Sequence, residues 1–107
     1  MLAEVERFNR RHAAVFTRLR AEIGAGVRNY VKTCQRRLGV PVFGDLEPDS
    51  EGRYPTEALA RRVEELRRQG DGADPEALIT TEMSMVRELL SPARLKDIEN
   101  ALATLDD

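Results

Sequence analysis

An all-α bundle of four or five helices is the fold that this 107-residue sequence predicts, and three observations carry it. Apolar residues recur at alternating steps of three and four along most of the chain, the spacing of one helix face. No segment alternates apolar and polar residues with the period of two that a half-buried strand requires. Glycine and proline cluster where successive helices would have to end. The length suits one domain spanning residues 1–107. Hydrophobic residues at 41 % suffice for a core, and only three Phe and two Tyr make that core aliphatic.

The first helical segment runs from Leu2 to Leu38. Its apolar stripe comprises Val5, Phe8, His12, Val15, Phe16, Leu19, Ile23, Val27, Tyr30, Cys34 and Leu38. At 100° per residue the stripe stays within about 80° either side of Val5, whereas Arg7, Arg10, Arg11, Arg18, Arg28, Lys32 and Arg36 fall between about 140° and 240°. The bases therefore form a ridge opposite the apolar face. Gly39, following Arg36 and Arg37, is the expected stop.

A straight helix of this length would run about 55 Å, whereas a domain of about 100 residues has a radius of gyration near 13 Å. Two arrangements resolve the conflict. A break or kink at Gly24-Ala25-Gly26 would let the segment fold back, and it is preferred because each mid-helix glycine costs about 1 kcal/mol. Otherwise a long continuous helix would bury Val5, Phe8, Val15 and Leu19 against a second copy of the chain, so these four are expected to serve packing or dimerisation.

Residues 39–55 hold three prolines and three glycines and form a connector, with Val40, Val42, Phe43 and Leu46 tucked onto the core. A helix from Pro55 or Thr56 to Gln69 follows, with Leu59, Val63 and Leu66 inward and favourable i,i+4 pairs Glu57–Arg61 and Glu64–Arg68 outward. Gly70-Asp71-Gly72 ends it. Asp74-Pro75 is a cap followed by a first-turn proline and opens a helix to about Leu90. Its face is wide, with Leu78, Met85 and Leu89 on one row and Ile79, Met83, Val86 and Leu90 on the next. Ser91-Pro92 repeats the signature before a last helix with a narrow seam of Leu95, Ile98, Leu102 and Leu105.

Charge is unevenly distributed. Residues 1–40 carry nine bases and three acids, a net of +6, and the rest carry eight bases and sixteen acids, a net of −8. Either the basic part is offered to an anionic partner, or the two parts attract one another within the fold or across a dimer. The ridge would extend about 43 Å, long enough to follow a nucleic-acid backbone. It lacks interleaved aromatics for stacking and an Asn/Gln set for base edges, and the acidic part would repel DNA. An acidic protein partner therefore ranks above nucleic acid, beside the plain reading of a solvated helix face.

Other chemistry finds little footing. Glu47, Asp49, Glu51 and Gly52 fit positions 1, 3, 5 and 6 of a calcium loop, but the twelfth position, a bidentate Glu in such loops, is Ala58. A turn in which Asp49 and Ser50 bond nearby backbone is the expectation. His12 and Cys34, each single in the chain, lie on the apolar stripe about 33 Å apart if the helix is straight, and are read as core. Carboxylates fall in turns and on outward faces. No metal site, cofactor site or catalytic residue is expected. A single cysteine and the absence of a basic apolar leader predict a cytoplasmic chain, and no apolar run is long enough to span a membrane.

The run Phe43-Gly-Asp-Leu46-Glu47, then Gly52-Arg53 and Leu59, preceded by Phe8, Phe16, Leu19, Gly24, Gly26 and Asn29-Tyr30-Val31, resembles a small helical accessory module of bacterial multidomain signalling and regulatory proteins. The resemblance implies a regulatory context and protein partners, and brings no catalytic residues with it.

Overall fold

The computed structural model describes residues 2–37, 46–70 and 75–105. Helices α1 (Leu2–Ile23), α2 (Val27–Arg37), α3 (Thr56–Arg68), α4 (Pro75–Leu89) and α5 (Pro92–Leu105) account for most of them. Among the described residues there is no strand. The all-α class and five-helix count follow the periodicity. No helix among the described residues is long and apolar enough to cross a membrane.

The glycine pair breaks the first segment, as its cost inside a helix requires. Gly24–Gly26 is a turn of 3₁₀ helix, and Gly24 takes φ +65°, a left-handed conformation that glycine adopts without a Cβ penalty. A straight rod from Leu2 to Arg37 would need about 54 Å. The molecule measures 40 × 29 × 22 Å, so α2 turns away from the axis of α1. It packs on α4, while α1 lies against α3, α4 and α5.

This arrangement settles the role of the stripe. Val5, Phe8, Val15 and Leu19 are all 0 % exposed within a single chain. They pack within one chain, and the alternative in which a second copy covers them is corrected: once the segment folds back, none of the four is left exposed. Val27, Val31 and Cys34 continue the core along α2.

The later helices start where the sequence predicts, at Thr56, Pro75 and Pro92. Leu59, Ala60, Val63 and Leu66 face inward from α3, and Glu64 pairs with Arg68. At the start of α5 the Ser91 hydroxyl accepts from the Arg94 amide, and Ile98 and Leu102 bury while Leu105 stays partly exposed. The α4 face differs from its reading. Leu89 is 58 % exposed, and Glu82 sits buried between Leu78, Ile79, Met85 and Val86. Of the connector residues expected to tuck inward, Leu46 packs against the core, whereas Val40, Val42 and Phe43 lie outside the described residues. Gly39, Leu38, Asp71, Gly72 and Asp74 lie outside them too.

Candidate functional site

The polar side chains that the fold draws together lie where α1, the stretch before α3, and α4 meet. Asn9 and His12 are one turn apart on α1 and project toward the backbone of residues 52–54. The Asn9 amide donates to the Tyr54 carbonyl at 3.0 Å, and the Tyr54 amide donates to Asn9 Oδ1 at 3.0 Å. One side chain thereby satisfies both backbone groups of a residue that no ladder could reach. One turn on, His12 Nδ1 donates to the Gly52 carbonyl at 2.8 Å.

The local fold of this turn is set by Asp49 and Gly52. Asp49 Oδ1 accepts from the amides of Glu51 and Arg53, and the Asp49 carbonyl accepts from the Gly52 amide. The bond from the Arg53 amide, with that from Glu51, holds the Asp49 carboxyl below the ordinary carboxylate range. Gly52 takes φ +85°, and a Cβ there would lie 2.3 Å from Phe16 Cβ. No side chain fits, so the turn rests its backbone directly on α1.

The other face of His12 meets Glu82. Nε2 lies 2.9 Å from Glu82 Oε1, with the two side chains 0 % and 1 % exposed. The Gly52 carbonyl can only accept, so Nδ1 must carry a hydrogen, and the Nε2–Oε1 contact holds a second proton between its two atoms. Burial by itself pulls the imidazole down. The Glu82 charge, its hydrogen bond and the Gly52 carbonyl together more than reverse this and raise His12 above its ordinary value. His12 is thus an imidazolium held by two acceptors. Among the described residues it is the one hydrogen-bond partner of the Glu82 carboxylate, whose Oε2 is buried without one.

Tyr54 packs its ring 5.3 Å from His12 and 6.1 Å from Phe8, and its hydroxyl accepts from Gln35 on α2. Burial, reinforced by the Glu82 charge, pushes its phenol up. The bend also brings Cys34 into the field of Glu82, although a straight helix would hold it far from His12. Its thiol lies 3.2 Å from Met85 Sδ and is pushed up to about 12, first by burial and then by Glu82. A buried thiol of that kind is a weak nucleophile. The cluster can tie three segments together and store a proton.

Neither Asn9 nor Glu82 was expected here, and the expectation that carboxylates occupy only turns and outward faces is corrected by Glu82. The available signal was complementary. One basic-type residue, His12, interrupts the α1 stripe, and one acid, Glu82, interrupts the α4 stripe between Leu78 and Val86.

The predicted ridge is redistributed by the fold. Arg11, only 15 % exposed, reaches Glu76 at 3.2 Å, Arg18 reaches Asp97 at 3.0 Å, and Lys32 reaches Glu47 at 2.7 Å. Arg36 donates to Thr33 on its own helix, Arg7 is exposed with contacts of its own, and Arg10 and Arg28 are exposed. Arg67–Glu4 and Arg94–Glu22 add two further pairs between the basic and acidic parts. A single uninterrupted cationic track is therefore corrected, because α4 and α5 lie against α1 and bring Glu76 and Asp97 to it. Part of the charge asymmetry of the sequence is thus met by attraction inside the fold, at Arg11, Arg18 and Lys32. Glu47 is tied to Lys32 and Asp49 caps its turn, and no group of three metal-ligating side chains occurs among the described residues.

One basic surface keeps arginines that no carboxylate among the described residues pairs with. Between α1, the Asp49–Arg53 turn and the end of α5 lies a groove of about 400 Å³, with Ala13, Ala14 and Thr17 as floor and Arg10, Arg20 and Arg53 as rim. Glu51 and Leu105 complete its edge. Arg20 donates to the Ser50 carbonyl, and none of the three arginines has a carboxylate within ion-pair distance among the described residues. A smaller groove of about 190 Å³ beside α5 differs, since the Arg18–Asp97 and Arg94–Glu22 pairs along it neutralise one another. No protein-family model matches the chain, and no curated protein or solved structure is significantly similar to it.

Proposed function

We propose that the chain is a non-catalytic helical module that works by contact with a partner protein, within a bacterial regulatory assembly in the cytoplasm. The observation that supports this is where the reactive groups sit. His12, Glu82 and Cys34 are spent inside the core on the chain's own architecture, while a cationic groove stays open at the surface. The nucleic-acid alternative loses its main support, since Arg11, Arg18 and Lys32 are engaged by acids of the same chain and break the long phosphate-tracking row. Self-association through the α1 stripe loses its motive because Val5, Phe8, Val15 and Leu19 are buried within one chain.

Immobilised polyglutamate and duplex DNA of matched charge distinguish the classes at about 50 mM salt, where phosphate contacts are strong. The module reading expects retention on polyglutamate and little on DNA. Strong retention on DNA with none on polyglutamate would replace it by the nucleic-acid reading.

A further inference from the structure

We propose that the groove beneath the Asp49–Arg53 turn is the docking site for an extended acidic segment of a partner protein. The inference rests on the interaction-module reading and gives it a location and a ligand chemistry. Three arginines line a groove floored by the small residues Ala13 and Ala14, over which a peptide backbone can approach closely. Elsewhere on α1 and α2 several bases already meet carboxylates, as at Arg11, Arg18 and Lys32, whereas among the described residues no carboxylate pairs with Arg10, Arg20 or Arg53. Arginine's planar fork suits paired recognition of carboxylates.

Dimensions select the form of the ligand. Arg10 and Arg20 are ten residues apart on α1, a rise of about 15 Å. An extended segment at about 3.3 Å per residue covers that distance in four or five residues, so two acids separated by three or four positions would reach both. In a helix about 10 Å across the backbone is sheathed by side chains, whereas an extended segment can lay its backbone directly on Ala13 and Ala14. Glu51, on the same rim, opposes a bound carboxylate and disfavours an acid at the end of the segment nearest to it.

The test uses the full chain and a fluorescent ten-residue peptide with two acidic residues four positions apart, on one face of the extended segment, in an otherwise neutral background. Arg10→Glu with Arg53→Glu is expected to weaken binding more than about tenfold. Arg28→Glu with Arg36→Glu, the same charge change on α2, is expected to change it less than about twofold, the effect of general attraction alone. Glu51→Gln is expected to tighten binding by about two- to fivefold. Amide chemical shifts of Ala13, Ala14, Thr17 and Glu51 should move on titration, and unfolding temperatures of the variants verify that they fold.

Equal losses in the two double variants, or shifts confined to another face, overturn the groove assignment while peptide binding keeps the module reading. Absence of any acidic-peptide or polyglutamate binding, with tight binding of DNA, overturns both.

Discussion

Replacing His12 by Phe keeps a ring of similar breadth in the core but removes the donor that Glu82 and the Gly52 carbonyl depend on. The Glu82 carboxylate is 1 % exposed and would then have no hydrogen-bond partner among the described residues. Breaking a buried pair from one side costs about 3–5 kcal/mol. For a chain of 107 residues, with an unfolding entropy of about 0.22 kcal/mol/K, a cost of about 4 kcal/mol lowers Tm by about 18 °C. Glu82→Leu is expected to cost a similar amount, because it strands the imidazole. Combining the two leaves an apolar contact and only the Gly52 carbonyl without its donor, a cost of about 1–3 kcal/mol. Urea unfolding of all four proteins therefore should give a coupling of at least about 3 kcal/mol between the two sites. The same set has a pH signature. Because His12 is raised in the folded state, native and unfolded chains both hold its proton below about pH 6.5, and its contribution is complete there. Above that the unfolded chain gives up the proton first, and stability falls with a slope of up to about 1.4 kcal/mol per pH unit until the folded value is passed. His12→Phe removes that slope between about pH 6.5 and 7.5, below the range where unfolded thiol and phenol groups ionise. Additive single effects, or a wild-type stability that stays flat or rises over this interval, would refute the reasoning.

Other outcomes follow from the same structure. Gly52→Ala places a Cβ 2.3 Å from Phe16 Cβ at φ +85° and is expected to cost at least about 2 kcal/mol, whereas Gly24→Ala, with open space at φ +65°, should cost only about 1 kcal/mol in chemical unfolding. Cys34 is 0 % exposed with its thiol pushed up to about 12, so a disulfide reagent at pH 8 should label it at the rate of unfolding and not faster. Leu89→Gln, at 58 % exposure, is expected to shift stability by less than about 0.5 kcal/mol, while Leu78→Ala, at 0 %, should cost about 2–5 kcal/mol by calorimetry.

Local signals in the sequence matched the parts of the fold that local forces decide. The proline-marked starts at Pro75 and Pro92 and the inward rows of α3 are properties of a few adjacent residues, and so was the break at Gly24, where two glycines weaken a helix whatever surrounds it. The helical wheel of α1 failed for Arg11 and Arg18 because a wheel knows two faces, and this helix has neighbours on three. Glu82 was invisible for a related reason. An acid in a wide apolar row reads as an interruption until its partner, 70 residues away, is known. Tyr54, buried at 2 %, was overlooked beside the more apolar connector residues, since its burial depends on Asn9 holding its backbone. Of the groove, Arg10 was legible as part of the ridge. Arg20 and Arg53 join it only through the turn at Gly52.

One imidazole contacts partners 40 and 70 residues away along the chain. Truncating the polypeptide before α4 would strand a cation inside a half-built interior, and omitting the Asp49–Arg53 turn would leave it without its second acceptor. No contiguous fragment shorter than roughly residues 9–86 assembles this junction. The chain should therefore gain and lose structure as one cooperative unit, with hydrogen exchange at Asn9, His12, Tyr54 and Glu82 reporting the same opening free energy despite their distance in sequence.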